Sequence, residues 1–446
     1  MLHNLVARLS QINFQSTPLP LKGGAIALNK LFVGMDISLD DVKVHILDQD
    51  GNDACSRFSV DNNPSGCNIL VSHILDCCNK YNVQKVFIGL ESTSVYGWHI
   101  QYYLADHASL KPFNPSVTTF NANTVKAFKK SLGDLPKNDW VDAFVIAEKL
   151  RFGRLPKSCP VDFRYLALQR LTRHRFHIVD SIVREKNYFL SNLFLKFSGL
   201  CQIKVFSNNF GAAATEIFNE FLTLDDIAAR PLEDLIAFLV DKGRDHFNDP
   251  NATAKLLQDA VRKSYRINAN VNDSLNFVIK SCLDNIQYLE KQKKASEKTI
   301  ANEVKGFKNQ FLCLTSVNGI GPTIAAGLIS EIGGISRFDN DNALAKFSGI
   351  YWSEYQSADF KAEDTYLKRT GNEYLRYYFI QAADQLRKYC PEFSQYYARK
   401  FNESKTHKHK RALVLTARKA VRLVFALLRE EKLYKPPAMK GDDCKY

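Results

Sequence analysis

Short apolar runs separated by Asp, Asn and Gly begin at Leu31. Leu31–Ile37, Val42–Leu47 and Cys55–Val60, with the turn Asp48-Gln-Asp-Gly51 after the second, predict three consecutive strands. The period then changes. Residues from Pro64 to Lys80 repeat their apolar positions at helical spacing, Val86–Leu90 reads as a buried strand and Val95–Asp106 as a helix. A strand at Val117–Phe120 and helices over Asn121–Ser131 and Asp139–Phe152 follow. The order β-β-β-α-β-α-β-α is met most economically by a mixed sheet with helices on its faces.

Beyond Val161 the strand period disappears. Tyr165–Lys196 places Leu168, Leu171, His174, Ile178, Ile182 and Leu190 near i, i+3, i+4 spacing, and Val271–Lys305 does the same with Leu275, Val278, Cys282, Ile286 and Leu289. Two long amphipathic helices of matching length predict an antiparallel coiled coil, with a helical insertion between them; a helical linker packed on a neighbouring domain is the alternative. The last stretch is mostly helical, with a glycine-punctuated start, an irregular centre and a basic tail. The chain thus divides into an acid-free extension at 1–30, an α/β domain at 31–157, a helical region at 158–306 and an all-α domain at 307–446.

Composition narrows the partner. Of 446 residues, 60 are Lys or Arg against 47 Asp or Glu, a net charge of +13 that favours a polyanion. No stretch approaches the ~18 consecutive apolar residues of a spanning helix, so nucleic acid is a better expectation than a membrane. The ten cysteines form no C-x-x-C pair, which suits core thiols in a reducing cytoplasm. His73 and Cys77 have helical ligand spacing but no second pair to complete a metal site. The N-terminal 30 residues do not fit a secretory signal, because Arg8, Gln11 and Asn13 interrupt their apolar runs.

The acids are placed where chemistry would use them. Asp36 closes the first strand and Glu91 the fourth, each preceded by a glycine two residues earlier, in Gly34-Met-Asp36 and Gly89-Leu-Glu91. Asp139 and Asp142 are i and i+3 on one helix and face the same side. Four converging carboxylates repel one another unless a hard divalent cation, Mg²⁺ or Mn²⁺, neutralises them. Such ions serve phosphoryl transfer, and no Gly-Lys-Ser/Thr phosphate loop offers another route. Taken singly, a strand-end Asp caps turns and a D-x-x-D face is solvated; the strand order is what joins the four.

A second group lies near the C-terminus. Leu314-Thr-Ser-Val-Asn-Gly319-Ile-Gly321-Pro322 reads as a helix, a glycine hairpin and a second helix, a helix-hairpin-helix whose backbone N–H groups suit a phosphate. A tight αα-corner is the bland alternative. Gln356-Ser357-Ala358 then leads to Lys368-Arg369-Thr-Gly371-Asn372 and to Arg376, a serine followed by cations fit to face a phosphodiester. Spacing alone makes that a weak signal. Lys408, Lys410 and Arg411 belong to a basic run from Arg399 to Arg422 that would track phosphates on a helix or simply form a solvated face.

Together these blocks resemble the DEDD transposases of the insertion sequence 110 family, the bridge-RNA-guided recombinases related to Piv DNA invertases, over about Phe32 to Tyr434. The resemblance implies a RuvC-like, RNase H-type fold for the mixed-sheet domain. It makes Asp36, Glu91, Asp139 and Asp142 the catalytic, metal-binding tetrad and Ser357 the nucleophile. Lys368, Gly371, Asn372 and Arg376 match the basic-Gly-Asn…Leu-Arg stretch, while Ala358 stands where the family usually has Gly and removes conformational freedom there. The resemblance further implies target and donor DNA, a non-coding guide RNA, a dimer or tetramer whose tetrad and serine domains meet across protomers, and a cytoplasmic, nucleoid-associated setting. A metal-dependent nuclease or Holliday-junction resolvase using water is the rival enzyme, and a DNA-bridging coiled-coil protein the non-enzymatic one.

Overall fold

The computed structural model describes residues 29–92, 95–155, 162–221, 223–243, 249–352, 356–357, 360–361, 367–368 and 370–436. Almost all of the expected N-terminal extension lies outside them. The chain forms two compact units, one ending at Pro160 and one starting at Val161.

The first unit runs β1 (Lys30–Ile37), β2 (Asp41–Leu47), β3 (Phe58–Asp61), α1 (Pro64–Lys80), β4 (Lys85–Glu91), α2 (Trp98–Asp106), β5 (Ser116–Phe120), α3 (Ala122–Ser131) and α4 (Asp139–Phe152). The sheet order is β3-β2-β1-β4-β5. Short polar turns let β1, β2 and β3 pair antiparallel. The connection through α1 is long enough to return the chain parallel, so β4 lies beside β1 and β5 beside β4. The third strand starts at Phe58, not at Cys55, because the chain is still turning there: Asp53 bridges back to Leu47. The second helix likewise starts three residues later than its sequence suggests.

Strand alternation sorts the core into two layers. Leu31, Val33, Met35, Val42, Val44 and Ile46 pack with α1 and α2, and Phe32 and Leu47 on the other face pack with α4. Gly34 and Gly89 are register partners on that second face. A Cβ on Gly34 would stand 2.1 Å from the Ala143 carbonyl oxygen, and one on Gly89 would stand 2.9 Å from the Leu150 side chain. The paired glycines are therefore a trough in which the α4 backbone lies. Gly34→Ala is expected to destabilise the unit by about 3 kcal/mol, since backbone must move. An unchanged thermal transition would show that α4 does not depend on the trough.

The second unit begins with α5 (Phe163–Lys196), followed by α6 (Ser198–Gln202), α7 (Ala212–Glu220), α8 (Leu224–Ala229), α9 (Leu232–Gly243), α10 (Pro250–Arg262) and α11 (Ala269–Glu303). Then come α12 (Lys308–Thr315), α13 (Pro322–Ile332) and α14 (Asp341–Ser348). Four two-residue strands follow, β6 (Tyr351–Trp352), β7 (Gln356–Ser357), β8 (Phe360–Lys361) and β9 (Leu367–Lys368), before α15 (Glu373–Tyr389), α16 (Pro391–Glu403) and α17 (Lys408–Glu430).

The two long helices pair antiparallel. Glu185 meets Asn285 and Lys186 meets Glu290, while Arg175, earlier in α5, meets Glu297, later in α11. Their apolar stripes are long because they serve two cores. Phe189 and Leu193 of α5 and Ile279 to Ile286 of α11 close over α6 to α10, while Leu168 and Ile300 join a separate core built from α12 to α17. His174, placed in the stripe by its spacing, is exposed. The described residues between the long helices form short helices, of which α8 is capped by the reciprocal Thr223 and Asp226 bonds and α10 by Asp249.

Candidate active site

The glycine trough determines what meets at the sheet edge. Residues two apart on a strand share a face, so Asp36 and Glu91 lie on the side of Gly34 and Gly89, the side that α4 covers. β1 and β4 are adjacent and parallel, and both carboxylates leave the sheet at the same edge. Asn138 caps α4 by accepting the Val141 N–H at 2.8 Å, which starts the helix at Asp139 and puts Asp139 and Asp142 in its first turn, at the end of the helix dipole that favours anions.

Asp36 and Glu91 respond to burial and to the acids around them. Burial, then the charges of Asp139, Asp142 and Glu91, push the Asp36 carboxyl up to about 6, against one opposing backbone bond from Ile37. Burial and Asp142 also raise Glu91, and Lys129 opposes them. Lys129 of α3 donates to Asp142 Oδ1 at 2.6 Å. Among the described residues no three His, Cys, Asp or Glu side chains stand close enough to enclose a metal ion. Lys129 supplies a positive charge beside the carboxylates through its ion pair with Asp142. The donors are all hard oxygens, the chemistry that suits Mg²⁺ or Mn²⁺. Lys129 was missed from sequence, where it is one of many helical lysines. The His73 ring stacks on Phe58, ring centroids 4.1 Å apart.

In the second unit, Ser357 ends β7 and its backbone pairs with Phe360 across a two-residue connection. The segment from Tyr351 to Lys368 is closed at its base by Tyr351 opposite Lys368 and Trp352 opposite Leu367. Arg369 and Ala358 lie outside the described residues. Gly371, at φ +144°, brings the chain back so tightly that a Cβ would stand 2.6 Å from the Phe347 carbonyl oxygen. The Asn372 N–H then donates to that oxygen at 2.7 Å. The Asn372 side chain, expected to contact nucleic acid, accepts the Leu375 N–H as the cap of α15 and donates to Glu331. Arg376 donates to the Ser348 carbonyl at 3.4 Å.

The glycine turn joins α12 to α13, and its two glycines differ. Gly319, at φ +106°, presses on the α15 backbone, where a Cβ would stand 3.0 Å from the Gln385 carbonyl. Gly321 has open space around it and leads into the exposed start of α13. In α17, Lys408, Lys410 and Arg411 are exposed in the first turn, which holds no acid. Cations there oppose the helix dipole and each other, an arrangement that an anion would relieve. His409 beside them is tied to the Tyr397 hydroxyl at 2.7 Å. No described helix is long and apolar enough to cross a membrane.

An acidic sheet edge carried in one chain with a basic helical unit points to the class of enzymes that work on nucleic-acid backbones. Residues 33–197 match the DEDD transposase model of insertion sequence IS110, and residues 312–398 match the model described as the transposase IS116/IS110/IS902 family. The chain is also similar to the insertion element IS116 uncharacterized 44.8 kDa protein of Streptomyces clavuligerus, 23% identical over 312 residues, or 67% of this chain and 73% of that protein. The chain belongs to the IS110 family of transposases, enzymes that cut and rejoin DNA.

Proposed function

We propose that this transposase recombines DNA through a covalent phosphoserine intermediate, with an acidic tetrad of Asp36, Glu91, Asp139 and Asp142 in an RNase H-type, RuvC-like domain. The observation that carries the reading is that acids over a hundred residues apart in sequence gather at one sheet edge, where burial first and then the charges of Asp139, Asp142 and Glu91 raise Asp36 to about 6. The strand order, three antiparallel strands followed by two parallel ones, supports the RuvC-like assignment. These carboxylates would hold Mg²⁺ or Mn²⁺, which when bound polarises the reacting phosphate and its oxygens.

The Ser357 hydroxyl attacks a DNA phosphorus, its proton leaves to a base or water, and the bond to the 3′ oxygen breaks. That oxygen departs as a 3′-hydroxyl, and a 3′-hydroxyl later attacks the serine ester to restore a phosphodiester and the serine. No nucleotide is hydrolysed, because the ester conserves the bond energy. Lys368, Arg369 and Arg376 are suited to the phosphate charge. The open Gly321 turn and the cations Lys408, Lys410 and Arg411 are suited to the DNA backbone.

A non-coding guide RNA pairing with target and donor DNA fits the net charge of +13. We assign residues 31–157 to the tetrad domain, 158–306 to a coiled-coil region that associates protomers into a dimer or tetramer, and 307–446 to the serine domain with its helix-hairpin-helix. The setting is the nucleoid.

Self-containment of the carboxylate group within the first unit also suits a metal-dependent resolvase that uses water. Labelled DNA incubated with protein and Mg²⁺ or Mn²⁺, then denatured, separates the two readings. Label migrating with the protein supports the serine ester, and cleavage without such label supports hydrolysis. Asp142→Asn should lower cleavage about a hundredfold while RNA affinity stays within about twofold, since the change removes charge at the acidic edge and its Lys129 pair and leaves the basic surface intact. Equal loss of both would reject that division.

A further inference from the structure

One acid in the second unit is buried where no acid is expected. Glu331 sits near the end of α13, in the run Ala325-Ala-Gly-Leu-Ile-Ser-Glu-Ile332, and is only 2% exposed. Its carboxylate accepts from Arg173 of α5 through both oxygens, at 2.7 and 2.9 Å, and from Gln169 at 3.2 Å. The remaining contact is the Asn372 amide, at 2.6 Å. A buried charge so fully satisfied is weak evidence for stability, because an apolar replacement often does as well. What it specifies is geometry.

The geometry leads to the serine segment. Asn372 is one residue past Gly371 and four past Lys368, and it closes the base of the 351–368 segment through the Phe347 carbonyl while its side chain caps α15. The same seam is stitched twice more: Thr172 of α5 lies 2.9 Å from the Ser330 hydroxyl, and the Tyr378 hydroxyl of α15 donates to the Thr172 carbonyl at 3.1 Å. Arg173 also lies over the Tyr374 ring, 4.4 Å from its centroid. Thus α5, α13 and the start of α15 are held at one polar point.

We propose that Glu331 is a positioning residue for DNA strand cutting: clamped by Arg173, it holds Asn372 and through it seats the serine-bearing segment relative to the long helix α5. The proposal rests on the reading of Ser357 as the reacting group. The device is a reciprocal pair, one carboxylate and one amide, so it can be exchanged. Asn372→Asp alone sets two carboxylates against each other. Glu331→Gln alone removes the anion from Arg173 and turns an amide donor toward Arg173 or Asn372. The double exchange restores the carboxylate–amide contact between 331 and 372, though Arg173 then faces an amide, and Asp remains a good cap for α15.

The test is the single-turnover rate of DNA strand cleavage at saturating DNA, with DNA affinity and melting temperature measured alongside. Each single exchange should slow cleavage about tenfold or more with DNA affinity within about twofold, and the double should recover part of that loss, cleaving faster than either single. Asn372→Ser keeps a capping oxygen and leaves the Arg173–Glu331 pair intact but is too short to reach Glu331. It should be as slow as the single exchanges even if one of them fails to fold. Asn372→Ser cleaving at the wild-type rate, a double variant no faster than the slower single, or rates that merely follow weakened DNA binding would overturn the proposal. A wild type that cleaves without a covalent adduct rejects the serine reading alone, since the cleavage-rate ratios still decide the role of Glu331.

Discussion

Ser357→Ala is expected to abolish the covalent protein–DNA adduct and lower strand exchange by about a thousandfold or more, while DNA affinity changes by less than about twofold. The asymmetry follows from what is removed. One oxygen is lost from the end of a two-residue strand whose ladder is made by backbone atoms, Ser357 opposite Phe360, and those atoms are unchanged. An unassisted serine is a poor nucleophile at neutral pH, so chelation of divalent cations should suppress the wild-type adduct as well, if the tetrad assists it. Denaturing electrophoresis of labelled DNA reads both effects. An adduct that survives in Ser357→Ala would assign the nucleophile to another residue.

The α/β unit was legible because its signals are local and agree with one another. The alternation in Val42-Lys-Val-His-Ile46 fixes which side chains enter the core, and the paired Gly-x-acid ends of β1 and β4 announce both the register and the face on which the acids emerge. Only the reason for the glycines was hidden, since their contact with α4 is a tertiary one. The start of β3 was misplaced because Cys55 continues an apolar pattern while the chain is still in its turn.

In the helical unit, pairing of α5 with α11 was readable from matched length and period. That the pair serves two separate cores was not, because both cores draw on the same stripe. Two signals in the sequence were available and passed over. Glu331 is a lone acid in an apolar helical run, which calls for a buried cation partner. Asn372-Glu-Tyr-Leu375 is a helix start, and its asparagine is engaged in capping before it is available to any ligand. Lys129 carries no such mark; only the folded position of α3 beside Asp142 distinguishes it.

Asp36→Asn should disable the enzyme and yet stabilise the metal-free fold. In the folded chain Asp36 holds its proton up to about pH 6, whereas the ordinary carboxyl value is 3.8, because burial and three neighbouring carboxylates disfavour the ion. Its contribution is therefore fully present below about pH 4 and is lost as pH rises through 6. Above that, the wild type carries an ion that the fold resists and the asparagine variant does not. The full shift corresponds to about 3 kcal/mol, and solvent reaching a partly exposed edge reduces the expected gain to about 1 kcal/mol at pH 7.5. The difference between the two proteins should vanish near pH 4. Mg²⁺ or Mn²⁺ should reverse the order at pH 7.5, stabilising the wild type through binding and the variant much less. If Asp36 holds the catalytic cation as proposed, strand cleavage should fall by about a thousandfold, on the order of 4 kcal/mol. Thermal unfolding across pH 4 to 8, with and without the cation, decides the matter. If the metal-free variant is less stable than the wild type at pH 7.5, burial and the neighbouring carboxylates do not disfavour the Asp36 ion, and the proposed cation site loses its electrostatic support.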